Sequence, residues 1–472
     1  MMMMMMMMKW FIIVFLWNDD GIRCWAWKFP FGGRSPTVNT KEWWMIPEDL
    51  LPVDIPRRSD LLVALQAVRK ASHITQQLQP DLPYSVSETI DNGTSTSTGI
   101  GKKHSTNNHH HPGIGIMTKP DTSPVTVADF AAQAVVLQHL HHMYPTDEFI
   151  AEETSDHLFS SAQTNHHHNN HHHHHHHRHL QQEILEASGM ETIDQLRYCI
   201  DLGQSYHRQQ QQQQQQGNPN GQQRRVWCLD PIDGTKGFLR GKKLGGQYCI
   251  ALCLLEDGRP TIGILACPNL PKTGTDFVWG KDDVEPTMDD HRGCIFVATN
   301  EGGCWQLSLH PGQYCQRLDA TTRLTAQGVV KSSDARFCIG VEEGFADPDG
   351  KCKAMAKILH GSTNALDKTT GDIVKACRID SQAKYGMLAR GDAEFYVRLP
   401  KSDYREWIWD VAPGIVILQE AGGRVTDVHG NDIDCSQGVK LVNNAAGILG
   451  ANDPHLHDAL FKSYQEQERN QR

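Results

Sequence analysis

Apolar positions along this chain repeat with two periods, and the change from one to the other divides it into elements. In residues 60–78, Leu62, Leu65, Ile74 and Leu78 fall on a helical spacing, and residues 127–144 repeat it with Val127, Phe130, Ala134, Leu137 and Leu140. Thr126 followed three residues later by Asp129 has the form of a capping box, so a helix is predicted to start there. Short apolar runs at 225–229, 248–255, 261–267 and 294–298 predict strands, and Glu256-Asp257-Gly258-Arg259 has the chemistry of a hairpin turn. The last third reads as strands at 337–341, 395–398 and 423–426, separated by helices at 353–359 and 411–421. Alternation of this kind predicts layered α and β elements in two halves.

Other stretches carry no such pattern. Residues 85–112 are Ser, Thr, Asn, Gly and His, and residues 155–223 hold His and Gln tracts around a short amphipathic piece at 180–202. Their composition predicts surface insertions, because too little apolar surface is present to offset chain entropy. The first 50 residues open with eight methionines, Lys9 and an apolar octet from Trp10 to Trp17, then Arg23, Lys28 and Arg34. They read either as a targeting leader or as a disordered extension, and the octet is too short to span a bilayer. The expected division is therefore a disordered or targeting segment (1–50), an α+β metal-site domain (51–330) carrying insertions at 85–112 and 155–223, and an α/β substrate domain (331–465).

Composition narrows the class. With 45 basic against 55 acidic side chains in 472 residues, the net charge is −10, which argues against a nucleic-acid polymer as partner. No apolar run approaches the roughly 18 residues of a membrane span. The 13 cysteines include no Cys-x-x-Cys pair, so they read as reduced, mostly buried thiols. The His tracts could bind Zn²⁺ or Ni²⁺ adventitiously, but a homopolymer has no fixed ligand geometry, and they are read as disorder.

The densest candidate chemistry is Trp227-Cys228-Leu229-Asp230-Pro231-Ile232-Asp233-Gly234-Thr235-Lys236-Gly237-Phe238. A buried strand here runs into two carboxylates three apart, which can face one point where hard oxygen ligands hold Mg²⁺, with the Ile232 carbonyl as a neutral ligand between them. The Gly234-Thr235 turn could present backbone N–H groups to a phosphate. An Asp-rich turn at a strand end accounts for the same pair without a metal. Glu152, after the apolar run Phe149-Ile150-Ala151, reads singly as solvated. Asp410, in Trp409-Asp410-Val411-Ala412-Pro413-Gly414, reads singly as the N-cap of the next helix.

Taken together these blocks resemble the inositol monophosphatase superfamily of lithium-sensitive, magnesium-dependent phosphatases, and within it the 3'(2'),5'-bisphosphate nucleotidase branch. The resemblance rests on Asp121-Thr122-Ser123-Pro124-Val125-Thr126, Ala151-Glu152-Glu153-Thr154-Ser155, residues 227–241 and Trp409-Asp410-Val411-Ala412-Pro413-Gly414 with Glu420-Ala421-Gly422-Gly423. Asp380-Ser381-Gln382-Ala383-Lys384-Tyr385 with Tyr396-Val397-Arg398-Leu399-Pro400 is similar to the nucleotidase branch in particular. The resemblance implies a two-domain αβαβα layered sandwich with the site at the domain junction. It implies two or three Mg²⁺ ions on Glu152, Asp230, Asp233, Asp410 and the Ile232 carbonyl. Asp121 and the Thr235 hydroxyl would orient and deprotonate the attacking water, and Gly234 and Thr235 would receive the phosphoryl group. Ser381, Lys384 and Arg398, beside Asp410, would hold the remaining 5'-phosphate, as a hydroxyl, a point charge and a planar fork can.

The implied reaction is hydrolysis of adenosine 3',5'-bisphosphate to AMP and phosphate by a monomer, with 3'-phosphoadenylyl sulfate also accepted and a role in sulfur assimilation. The alternatives are an inositol phosphate phosphatase and a non-catalytic His-rich metal-binding protein. The compartment stays open: cytoplasm by default, or a plastid or mitochondrion if the leader is genuine. Phe345 departs from the family pattern, which usually has a histidine there; it cannot donate a hydrogen bond, although its ring can pack on adenine.

Overall fold

The computed structural model describes residues 6–8, 11–13, 50–81, 116–118, 124–159, 170–207, 224–243, 245–272, 292–310, 315–321, 323, 328, 330–341, 347–401, 404–442 and 447–471. Contacts group the chain into two units, Met1–Glu42 and Trp43–Arg472. In the first, β1 (Met6–Met8) and β2 (Phe11–Ile13) pair antiparallel. Apart from Leu50, the rest of residues 1–50 lies outside the described residues.

In the second unit the elements in chain order are α1 (Arg58–Leu78), β3 (Ile116–Thr118), β4 (Pro124–Thr126), α2 (Val127–Met143), β5 (Glu148–Ala151), α3 (Asp156–Phe159), α4 (Asn170–Ser188), α5 (Ile193–Asp201), β6 (Arg225–Asp233) and α6 (Thr235–Arg240). Then come β7 (Cys249–Glu256), β8 (Arg259–Pro271), β9 (Arg292–Thr299), β10 (Gly303–Ser308), β11 (Cys315–Leu318), β12 (Phe337–Ile339) and α7 (Lys351–His360). Last are β13 (Ala376–Arg378), α8 (Ala383–Arg390), β14 (Phe395–Arg398), α9 (Ala412–Glu420), β15 (Arg424–Asp427), β16 (Ile448–Ala451) and α10 (Pro454–Gln471).

Two large sheets organise these elements, while β3 and β4 pair antiparallel as a two-stranded sheet of their own. One runs β11-β10-β9-β8-β7-β6-β5, antiparallel except for the parallel β5–β6 pair. The other runs β13-β12-β14-β16-β15. The inner strands β7, β8 and β9 of the seven-stranded sheet are buried on both faces, which is why they read as near-continuous apolar runs. Along β7, Cys249, Ala251, Cys253 and Leu255 face one core, while Ile250, Leu252 and Leu254 face the other. Helices α1 and α2 cover the outer face, α8 and α9 fill the space between the sheets, and α7 and α10 close the far face of the smaller sheet. The order is thus helix, sheet, helix, sheet, helix, the αβαβα sandwich expected.

The local predictions hold with shifted ends. Thr126 caps α2: its hydroxyl accepts from the Ala128 N–H, and Asp129 accepts from the Thr126 N–H at 2.8 Å. At the β7–β8 turn, Asp257 (φ 52°) and Gly258 (φ 77°) both take the left-handed backbone of a two-residue hairpin. The stretch 155–223 differs from the expectation of a surface insertion. Leu158, Leu180, Ile184, Met190, Leu196 and Ile200 are buried against Phe130 and Ala134 of α2. Their 3.6-residue spacing, interrupted at Gly189, makes α4 and α5 a small fourth core, so part of that stretch belongs to the fold.

The middle layer is tight. A Cβ added at Gly386 of α8 would lie 2.3 Å from the ring of Phe296 on β9. Gly386→Ala is therefore expected to lower stability by about 1–3 kcal/mol through overpacking, measurable as a shift of the urea midpoint at unchanged slope.

Candidate functional site

Strand β6 ends in an irregularity that aims its carboxylates. Asp230 pairs with Ala251 and Asp233 with Cys249, so β6 spends one more residue than β7 between those pairs. Pro231 sits inside this bulge, where its missing N–H costs no ladder bond. The Ile232 N–H turns back to Asp230 Oδ1 at 3.0 Å. Gly234 then stops the strand at φ 89°, and a Cβ there would meet that of Ser381 at 3.0 Å.

The third carboxylate comes from the other half of the chain. Asp410 ends a 3-10 turn (Ile408–Asp410) anchored by the Ile408 N–H on the Val439 carbonyl. It is not the N-cap of α9. That position is Val411, without a side-chain cap bond, and Pro413 sits in the first turn, where one fewer donor needs a partner. The Asp410 side chain instead turns to the β6 end, and one oxygen from each of Asp230, Asp233 and Asp410 lies within 4.8 Å of the others.

Such a cluster is electrostatically costly. Burial, and then the charges of Glu152, Asp233 and Asp410, raise the Asp230 carboxyl well above the usual range. Burial raises Asp410 likewise, with Asp233, Glu406 and Glu152 adding to the shift and Arg398 opposing it. Hard oxygen donors converging without enough cationic side chains to neutralise them are what a divalent cation requires, so the residues fit a metal. Glu152 lies just outside the tight triad. Its N–H donates to the Leu229 carbonyl, and Gln133 clamps the neighbouring Glu153 backbone from both sides, at 2.7 and 3.0 Å.

The other expected residues line the same place. The Thr235 hydroxyl donates to the Ile232 carbonyl at 3.3 Å, the turn-stabilising role its type allows. Ser381, at φ 67°, packs on Gly234, and its hydroxyl accepts from the Ala383 N–H. Lys384 is buried, donates to the Ile379 carbonyl at 3.0 Å, and is lowered by desolvation. Arg398 donates through Nε to Glu406 at 2.6 Å and through Nη2 to Asp410 at 3.4 Å. Burial disfavours its charge, but Glu406, Tyr396 and Asp410 hold its pKa above the usual value. Asp121 and Phe345 lie outside the described residues.

Two residues with no assigned role in the sequence reading belong here. Glu406 is 1% exposed, and its Oε2 has no hydrogen-bond partner among the described residues, so its charge is committed to Arg398. Only its place four residues before Asp410 could have drawn attention to it. Gln382 gives its backbone N–H to Asp233 Oδ2 at 2.5 Å. It stands inside the Asp380–Tyr385 block, where a neutral amide gave no signal among charged neighbours.

A model described as "Inositol monophosphatase family" matches residues 85–469. Among curated proteins, the 3'(2'),5'-bisphosphate nucleotidase of Schizosaccharomyces pombe is 34% identical over 390 residues, 82% of this chain and 90% of its own length. The 3'(2'),5'-bisphosphate nucleotidase of Dictyostelium discoideum is 34% identical over 352 residues, 74% of this chain and 87% of its own. That of Oryza sativa is 34% identical over 356 residues, covering 75% and 86%.

Three outcomes are expected. Millimolar Mg²⁺ added after chelation raises the thermal midpoint, by the equivalent of about 2.7 kcal/mol at a hundredfold excess over the dissociation constant. Asp233→Asn abolishes that response while leaving the metal-free protein at least as stable, because a repulsion is relieved. Glu406→Ala strands the Arg398 guanidinium and is expected to cost about 3 kcal/mol in denaturant unfolding.

Proposed function

This chain belongs to the inositol monophosphatase family, and we propose that it acts within it as a Mg²⁺-dependent 3'(2'),5'-bisphosphate nucleotidase, hydrolysing adenosine 3',5'-bisphosphate to AMP and phosphate. The observation that carries this reading is the placement of a second cationic patch, Lys384 and Arg398 with Ser381, against the carboxylate cluster. A bisphosphate presents two anionic groups, one to be attacked and one to be held, and the two patches divide these tasks. Identity to the named nucleotidases along most of their length supports the same substrate class.

In this reading Asp230, Asp233, Asp410 and Glu152, with the Ile232 carbonyl, hold two or three Mg²⁺ ions. Held there, the ions would supply a water of lowered pKa and compensation for negative charge on the phosphate. The protein's own groups supply orientation. Asp121 accepts the proton of the attacking water, with the Thr235 hydroxyl aligning it, and Gly234 and Thr235 receive the phosphoryl oxygens. Ser381, Lys384 and the Arg398 fork hold the 5'-phosphate, so the ribose is presented in one register. No covalent phosphoenzyme is required. We further propose that the molecule acts as a monomer, that residues 51–330 and 331–465 supply the metal and substrate halves, and that 3'-phosphoadenylyl sulfate is also accepted.

The test is phosphate release with Mg²⁺ from adenosine 3',5'-bisphosphate and from inositol 1,4-bisphosphate, side by side. Faster turnover of the nucleotide, inhibited by Li⁺ and reduced by at least about a hundredfold in Asp233→Asn, is the expected result, the order of loss produced by removing one charge-stabilising group. Release from the inositol compound alone would move the assignment to an inositol phosphate phosphatase. Release from neither would overturn it.

A further inference from the structure

Asp233 reaches the cluster from the end of β6 and Asp410 from the 3-10 turn before α9; like charges there repel, so their separation has to be set by something other than themselves. The residue that touches both supports is Gln382, 3% exposed, at the entrance to α8. Its backbone N–H donates to Asp233 Oδ2 at 2.5 Å. Its side-chain Nε2 donates to the Trp409 carbonyl at 2.7 Å, and its Oε1 accepts from the Gly414 N–H at 3.2 Å. Trp409 and Gly414 bracket Asp410 in the chain. One amide group therefore satisfies a donor and an acceptor of the Asp410 segment, while the same residue's main chain grips Asp233.

We propose that Gln382 is a positioning residue that fixes the spacing of Asp233 and Asp410 and thereby sets the cation affinity of the cluster. The inference rests on the reading of that cluster as a cation site.

The surroundings show why this residue type is needed. Ser381 holds φ 67°, a strained value for a non-glycine residue, and it immediately precedes the N–H that meets Asp233. A glutamate would keep the acceptor for Gly414 but lose the donor to Trp409, and it would add a charge beside three carboxylates. An asparagine is one methylene too short to hold both partners. The packing leaves no slack for another arrangement, since a Cβ at Gly414 would fall 2.1 Å from the ring of Tyr385, which α8 carries.

The experiment measures Mn²⁺ binding directly, by the free-ion electron paramagnetic resonance signal, in the full-length protein and in Gln382→Met and Gln382→Asn. Leu460→Ala, in the outer core away from the cluster, serves as a control for lost stability alone. The expected result is a dissociation constant raised on the order of tenfold in both Gln382 variants and unchanged in Leu460→Ala. In activity assays the half-saturating Mg²⁺ rises in step, while KM for adenosine 3',5'-bisphosphate at saturating Mg²⁺ stays within about twofold. A folded Gln382 variant that binds Mn²⁺ like the wild type overturns the inference and leaves the metal site standing. A wild-type chain that binds no Mn²⁺ overturns both.

Discussion

Three carboxylates with oxygens within 4.8 Å of one another are the constraint around which the second unit is arranged. Nothing in their own chemistry favours this meeting: each is an anion, Asp230 is 3% exposed, and at short range in a poorly polarisable interior like charges repel strongly. The rest of the fold has to supply the work of assembly. It does so with rigid elements, a bulged central strand on one side and a turn locked to the 439–441 segment on the other, bridged by α8 between the sheets. Repulsion left standing by the scaffold then becomes affinity for a cation.

Positive charge is placed beside this cluster sparingly. Arg398 leans on Asp410 at 3.4 Å, but its closer partner is Glu406 at 2.6 Å, so the guanidinium is already balanced and cannot quench the triad. A buried Arg–Glu pair costs desolvation and contributes little net stability, which makes it better understood as a way of fixing where the fork points. Lys384 adds a second charge under the same cover, weakened by burial. Arg398 and the carboxylate cluster thus share Asp410, so a ligand on either side would change the electrostatic setting of the other.

Much of this was legible in the sequence, and the unequal legibility has physical reasons. Period-two and period-3.6 patterns are imposed by burial, so the strands around Cys249–Glu256 and the helix after Thr126 stood out within a residue or two. Asp230 and Asp233 were conspicuous because two acids at the end of an apolar strand oppose its burial. Asp410 taken singly looked like a cap, because spacing alone cannot distinguish a carboxylate facing its own helix from one facing away; the family resemblance was what set it beside Asp230 and Asp233. The amphipathic piece at 180–202, which carries the end of α4 and all of α5, was visible, but the His and Gln tracts around it led the whole stretch to be read as a surface insertion and hid its burial. Gln382 and Glu406 act through partners far away in the chain, and a contact such as Gln382 with Trp409 leaves no local trace.

The floor of the site shows how far this arrangement extends into the core. The inner face of the seven-stranded sheet carries Cys228, Cys249, Cys253, Cys267 and Cys294 where a Val or Leu would be ordinary. A thiol is a small apolar group, which lets α8 and α9 lie close against the sheet. It is also a weak hydrogen-bond donor, which a methyl group is not. The Cys249 thiol lies 3.7 Å from Asp233 Oδ2, within reach for sulfur, on the oxygen that also accepts the Gln382 N–H. A valine there would leave that face of the carboxylate against hydrocarbon, and a serine would trade apolar packing for a hydroxyl needing its own partners. Burial drives the Cys249 pKa well up, so the thiol stays neutral beside the three carboxyl groups. The dry layer beneath the cluster is therefore matched to it: apolar enough to hold the sandwich together, and polar at the one point where an anion comes through.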